Sequence, residues 1–171
     1  VSFIEEEVKD IDFNLKKIVL SNRPSVNYSK LVLNYGSQTI IPKEFESLVK
    51  NRNAFSIKPF LRAYDSILKE DIFDSVNELP FVIVGSGLAA IEVSYALRKR
   101  WGDRPLKLLC DSRKINNTIL KSLRNSNIDL VEKLNFDYGK ILLCTGNTSP
   151  LWAQKKLLDS DSYGRIITNQ N

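Results

Sequence analysis

The sequence predicts an α/β chain organised around a parallel sheet with helices packed on it. Three observations carry that expectation. Apolar strand-like runs alternate with segments of helical period from about residue 59 to residue 144. The run Phe81-Val82-Ile83-Val84 is unbroken and rich in β-branched residues, as a strand buried on both faces requires. It leads directly into Gly85-Ser86-Gly87 and then into a helical pattern.

Residues 1–37 read as strands and turns. Val1-Ser2-Phe3-Ile4, Lys17-Ile18-Val19-Leu20 and Lys30-Leu31-Val32-Leu33 are short β-prone runs, with turn chemistry from Asn22, Pro24 and Asn27. Residues 40–58 read as irregular, punctuated by Pro42 and closed by Pro59. From Pro59 to Phe73 the apolar positions Phe60, Leu61, Tyr64, Ile67, Leu68 and Ile72 fall on one helical face, and Pro59 suits the first turn. After the strand at 81–84 come a helix over Leu88–Trp101 and a strand over Leu106–Cys110. A short helix over Asn117–Asn125, with Asn116 or Asn117 as its cap, precedes strands at Ile128–Val131 and Lys140–Cys144. Tyr95 and Trp101 take packing positions on their helix.

Composition narrows the chemistry. The 171 residues are 43% hydrophobic and 26% charged, which suits a folded globular chain. With no His, a His general base, a Ser-His-Asp triad and an imidazole metal site are excluded. Cys110 and Cys144 are the only thiols, so neither a four-thiolate zinc site nor a disulfide framework is available. Both end apolar strands and read as small buried hydrophobes.

The longest nearly apolar run, Leu79 to Ile91, falls short of the ~20 residues a membrane helix needs. Glu5, Glu6 and Glu7 stand where a secretory leader would be basic and then apolar, so a cytoplasmic location is expected. The net charge of +5 is spread along the chain. Its densest run, Arg98-Lys99-Arg100, falls at a helix C-terminus, where cations complement the dipole, and no nucleic-acid partner is expected. The sequence contains no Met, so Val1 is not an intact translation start and the chain reads as an excerpt of a longer protein.

The sharpest signal is the Gly-rich turn. Gly85-Ser86-Gly87-Leu88-Ala89-Ala90 is G-x-G-x-x-A leaving a strand and opening a helix, the context of a Rossmann-like dinucleotide site. Gly85 allows the tight turn, Gly87 lets a pyrophosphate approach the backbone, and Ala90 lets the helix lie close on the strand. The helix start then offers free N–H donors to phosphate. Asp111 follows Ala90 by roughly 20 positions and ends the next strand, where an acid binds the adenosine ribose hydroxyls. A free 2′-hydroxyl suits that carboxylate, so NAD(H) is favoured over NADP(H); Arg113 and Lys114 could instead pair with a 2′-phosphate.

With these pieces in order, the sequence resembles the FAD- and NAD(P)-dependent pyridine nucleotide-disulphide oxidoreductase superfamily. Lys30-Leu31-Val32-Leu33-Asn34-Tyr35-Gly36-Ser37 is similar to the strand that closes the first part of its FAD domain. Ile141-Leu142-Leu143-Cys144-Thr145-Gly146 resembles its second "ATG" strand, with Pro150 close behind, and Tyr163-Gly164-Arg165-Ile166 its return into the FAD domain. Ile57-Lys58-Pro59-Phe60-Leu61 resembles type II NADH dehydrogenase-like proteins, in the version fused to selenide, water dikinase.

The resemblance implies an oxidoreductase and flavoprotein in which hydride passes from the nicotinamide to FAD, with Glu92 and Gly146 at the nicotinamide end. It divides the chain into a partial FAD-domain segment (1–75), a shortened NAD(P)-binding domain (76–146) and a return into the FAD domain (147–171). The first FAD motif, the late Gly-Asp flavin motif and the C-terminal domain lie outside these residues, and Tyr35 stands where the family prefers Thr. This excerpt alone is therefore expected to be inactive and not to hold FAD. Its expected partners are a dinucleotide and the FAD-domain segments of its own chain. Membrane contact is expected only through regions outside these residues. Two further readings stand beside this one. A degenerate Rossmann module with a regulatory or docking role is favoured by the short stretch after Asp111. An S-adenosylmethionine-dependent methyltransferase shares the Gly-rich turn, but the continuation through Ile91-Glu92 argues against it.

Overall fold

A computed structural model describes residues 2–73, 79–149, 158–161 and 166–167. The chain forms two compact units, residues 39–147 and residues 1–38 with 148–171. The sequence break expected at 75/76 therefore does not coincide with the unit border.

In the second unit, β1 (Val8–Asp12) pairs antiparallel with β2 (Lys17–Leu20), and β2 with β3 (Val26–Asn27). The hairpin turn between β1 and β2 is held by the Leu15 N–H donating to Asp12 Oδ1 at 2.8 Å. The strand expected at 1–4 begins instead at Val8, and the run 30–33 forms no strand. Phe3 is 87% exposed and Val32 90%, so these apolar runs find no surface to bury against, and propensity alone does not make a strand. Pro150 and Tyr163-Gly164-Arg165 lie outside the described residues. The chain crosses between the units in two short strands, β4 (Gln38–Thr39) and β10 (Asn147–Thr148).

The larger unit carries the expected fold, an α/β Rossmann-like parallel sheet with helices. Five strands stand in the order β5-β9-β6-β7-β8, all parallel: β5 (Ala54–Ser56), β6 (Phe81–Val84), β7 (Leu106–Leu109), β8 (Ile128–Val131) and β9 (Ile141–Leu143). Alternate residues of the central strands serve two cores. Phe81, Ile83, Leu108 and Leu142 pack under α2 (Phe60–Phe73), α3 (Leu88–Trp101) and α4 (Asn117–Asn125), which all lie on one face. Val82, Val84, Ile141 and Leu143 face the other way. That face is covered by Phe45, by Leu48 and Val49 of α1 (Glu46–Lys50), and by Leu134, Phe136 and Tyr138. Residues 132–140 thus close over the second face without a strand of their own.

Local chemistry fixes the helix ends. Asn116 caps α4, its side-chain oxygen accepting the Thr118 N–H at 2.8 Å. At the end of α3, Arg98 donates to the carbonyls of Gly102, Arg104 (2.9 Å) and Asn127 (2.5 Å). The basic run thus occupies the last turn, as its charge favours. Trp101 packs edge-on against Phe81, and Tyr95 donates to Ser122 Oγ at 2.8 Å.

The strand β5 was not legible: residues 40–58 were expected to be irregular. Three residues between Asn51-Arg52-Asn53 and Pro59 give almost no periodic signal. Its formation depends on β9, which takes up its backbone groups.

Candidate functional site

The sheet order places a switch point between β6 and β9, where the chain runs outward in opposite directions from two neighbouring strands. In open parallel sheets the crevice beyond the strand ends at such a point is where ligands bind. A cleft of about 460 Å³ opens here, bordered by Gly85, Ser86, Cys110, Asp111, Arg113 and Thr145.

The backbone explains why Gly85 is needed. Its φ is +147°, and a Cβ there would lie 2.5 Å from the Cys144 carbonyl oxygen. The turn is wedged between its neighbours, with the Gly85 N–H donating to Leu109 O at 3.0 Å. Gly87 is different. Its φ is −91°, which any residue adopts, and nothing lies within 4 Å of where its Cβ would be. The space above Gly87 is open, as the approach of a ligand to the backbone requires.

Gly87 also starts α3, with no side chain capping that end. Leu88 and Ala89 are exposed there, and their N–H groups precede the first intrahelical bonds. Ala90 is fully buried against the strand.

Asp111 stands past the end of β7 and is tied to the turn: its N–H donates to Ser86 Oγ at 2.9 Å. Its carboxylate accepts from Arg113 Nε at 2.9 Å and Arg113 Nη2 at 3.0 Å, and from the Arg113 N–H at 3.2 Å. Lys114 Nζ lies 3.9 Å away. These hydrogen bonds, chiefly those of the guanidinium, hold the Asp111 carboxyl below its usual range. Cys110 and Cys144 are buried, and burial pushes the Cys144 thiol up to about 12. Both thiols are therefore protonated and unreactive near neutrality.

The residues expected at the nicotinamide end do not join the cleft lining. Glu92 is exposed on α3. Gly146 follows Thr145 at φ +102°, and its carbonyl accepts the Ile40 N–H at 3.1 Å. Four residues that sequence reasoning missed border the cleft: Pro42, Glu44, Phe45 and Glu132. Glu132 follows β8 as Asp111 follows β7, so the same strand-end rule points to it. Pro42 to Phe45 arrive from a 3-10 turn that carries no motif.

The fold and its switch-point cleft define a Rossmann-type α/β unit. Solved structures share this fold across most of the chain. An engineered water-forming NADPH oxidase bound to NADPH superposes with a TM-score of 0.71 at 20% identity, over 96% of this chain and 42% of that one. A NAD-dependent persulfide reductase from A. fulgidus gives 0.63 at 17%, over 82% of this chain and 30% of that one. The sulfide:quinone oxidoreductase from Aquifex aeolicus gives 0.60 at 17%, over 88% and 44%. These neighbours are members of the pyridine nucleotide-disulphide oxidoreductase superfamily, and at such identities the likeness establishes the fold. The narrower likeness to the version fused to selenide, water dikinase has no support among them. The chain spans less than half the length of each neighbour. No family model and no curated protein matches the sequence. No helix among the described residues is long and apolar enough to cross a membrane.

Proposed function

We propose that this chain is the NAD(P)H-binding portion of a flavin-dependent oxidoreductase, with the dinucleotide pyrophosphate seated on the 85–90 turn. The open space above Gly87, beside an uncapped helix start at the switch point, is the observation that carries this reading. Gly85, Ser86 and Gly87 cradle the phosphates with the first N–H groups of Leu88 and Ala89. Ala90 keeps helix and strand close, and Asp111 takes the ribose hydroxyls of NAD(H), with Arg113 beside it. Glu92 and Gly146 lie toward the nicotinamide. When bound beside a flavin, the nicotinamide supplies a hydride, and the protein supplies position and a dry surface. Residues 1–75 and 147–171 are then read as pieces of the FAD domain. FAD itself needs segments beyond these residues.

Calorimetric titration with NADH, NADPH, FAD and S-adenosylmethionine tests the reading directly. Saturable binding of a nicotinamide dinucleotide, lost in Gly87→Val with the fold retained, is the expected result. Binding of S-adenosylmethionine alone, or no nucleotide binding at all, would sink it. A purified chain carrying stoichiometric flavin would show that the flanking pieces suffice for FAD.

A second reading, a Rossmann module with a regulatory or docking role, is favoured by one observation. Glu92 and Gly146 stand apart from the cleft while residues 132–140 close over the sheet directly. A dinucleotide that binds without ever reducing a flavin in the longer protein would select it.

A further inference from the structure

The largest cavity of the 39–147 unit, about 550 Å³, lies away from the dinucleotide cleft, along the free edge of the sheet. Val49 of α1 lines it from one face and Ala63 of α2 from the other, with Ala54, Phe55 and Ser56 of β5 between them. An opening bordered from both faces and by the outermost strand runs along that strand.

The backbone of β5 is half used. Asn53 O accepts the Ile141 N–H at 3.0 Å, and the Ile57 N–H donates to Leu143 O at 2.9 Å. In a parallel ladder of that register, Phe55 supplies the bonds between them, so Ala54 and Ser56 turn their N–H and C=O groups away from β9. No strand pairs with that outer edge among the described residues. Ala54 is only 3% exposed, so its outward groups are withdrawn from bulk water without a backbone partner. Buried backbone groups of this kind are nearly always paired, and an open edge is a template for another strand.

The walls are cationic. Arg52, Arg62, Lys69 and Lys140 line the cavity, and its carboxylate, Glu70, is already committed to Arg104 at 3.2 Å. Arg52, Arg62 and Lys69 are exposed and form no ion pair among the described residues. Lys140 donates to Arg52 O at 2.7 Å, which leaves its charge uncompensated. Beside these, Phe60 (59% exposed), Leu61 (77%) and Tyr64 (42%) present an apolar strip on α2. An edge strand of this kind normally carries charge to repel further pairing. Here the charge is of one sign and flanks the edge, so it repels a second copy of this chain and attracts an acidic one.

We propose that the β5 edge is a docking site for an extended acidic segment of a partner protein. The segment adds a parallel or antiparallel strand through Ala54 and Ser56, and its carboxylates pair with Arg52, Arg62 and Lys69. Apolar side chains on its alternate positions rest on Val49, Ala63 and the Phe60–Tyr64 strip. Backbone pairing supplies affinity, and the alternating pockets and charges supply selectivity. The site is independent of the dinucleotide cleft, so its success or failure leaves that reading untouched.

The probe is a fluorescein-labelled octapeptide alternating Glu and Val, titrated against the protein at low salt. Saturable binding with a Kd of roughly 10–500 µM is expected, weakening as salt rises. The Ala54 and Ser56 amide resonances should shift in the complex. A double variant, Arg62→Glu with Lys69→Glu, changes only exposed side chains and should weaken binding at least about tenfold with an unchanged circular dichroism spectrum. The same peptide N-methylated at alternate residues keeps its charge but loses strand pairing, and should not bind. Equal binding of the N-methylated peptide or of a Lys-Val peptide overturns the proposal, as does no saturable binding at millimolar peptide. Tighter binding of a single-stranded DNA decamer overturns it in favour of nucleic acid. Concentration-dependent dimerisation through this edge, abolished by the double variant, overturns it in favour of self-association.

Discussion

Gly85 and Cys144 meet so closely that a Cβ on the glycine would lie 2.5 Å from the cysteine's carbonyl oxygen. The same two strand ends are bonded, with the Cys144 N–H donating to Val84 O at 2.8 Å. The switch point therefore rests on one residue that has no side chain. With φ at +147° as well, Gly85→Ala adds both a clash and backbone strain, and should cost about 2–4 kcal/mol of folding stability. Urea unfolding of the two proteins measures it. A loss under about 0.5 kcal/mol would mean the turn relaxes freely and the close approach carries no weight.

Gly87 makes the opposite prediction from two positions along. Its Cβ would meet nothing, and its φ is ordinary, so Gly87→Ala and Gly87→Val should change the unfolding midpoint little. Dinucleotide affinity should nevertheless fall, by about tenfold or more for Val, because the added methyl groups occupy the approach to the backbone. Calorimetry with NADH on the folded variant reads it. Unchanged affinity would place the pyrophosphate elsewhere.

These two glycines also show where sequence reading succeeds. A strand such as β6 announces itself because every residue from Phe81 to Val84 is buried and must be apolar. The turn after it announces itself because only glycine fits Gly85. Strand β5 is invisible because its residues are held by Ile141 and Leu143, far along the chain. Lys30 to Leu33 misled for the converse reason: strand-forming residues without a partner surface remain irregular, with Val32 in water. Within the site, Asp111 followed from spacing, whereas its bond to Ser86 and its fork with Arg113 depend on side-chain conformation. Pro42 to Phe45 reach the cleft from a segment that the motif does not mention.

The buried pair Glu70–Arg104 holds α2 to the start of β7. The Arg104 side chain is 1% exposed, its guanidinium lies 4.4 Å from the Trp101 ring centroid, and Glu70 Oε2 accepts from Nη2 at 3.2 Å. Removing one member strands the other charge away from water. Glu70→Ala should therefore cost about 3–5 kcal/mol, while a joint replacement of both residues by apolar ones should recover much of that. Urea unfolding of the single and double variants gives the comparison. Equal losses in both would show that the charge is not the cause.

Cys144 gives the chain an alkaline weakness. Burial raises its pKa to about 12, whereas an unfolded cysteine ionises near 8.5. Below that lower value both states keep the proton and stability does not depend on this group. Above it the unfolded state loses its proton and the folded state does not, so stability falls by up to about 1.4 kcal/mol per pH unit until the folded thiol ionises. The urea midpoint of the wild type should drop more steeply between pH 9 and pH 11 than that of Cys144→Ala. Parallel profiles would show that Cys144 ionises freely in the folded chain. Cys110, also raised by burial, is present in both proteins and cancels in the comparison.

Cofactor preference turns on the pair Asp111 and Arg113. The carboxylate accepts both arms of the guanidinium, so Arg113 is held away from any phosphate as long as Asp111 is ionised. Because those bonds lower the Asp111 pKa, the carboxylate remains charged well into the acid range. Facing a ribose, it accepts two hydroxyl hydrogen bonds; facing a 2′-phosphate, it repels the ligand. NADH should therefore bind more tightly than NADPH, and the preference should persist to about pH 5. Asp111→Ala removes the repulsion and frees Arg113 and Lys114, both exposed and adjacent, so the preference should shrink about tenfold or reverse. Adding Arg113→Ala to that variant should abolish the gain for NADPH, because the freed guanidinium is its source. The measurement is a set of dissociation constants for both nucleotides at one salt concentration, since phosphate contacts are screened. A wild-type preference for NADPH, or a ratio unmoved by Asp111→Ala, would mean that this carboxylate does not face the ribose.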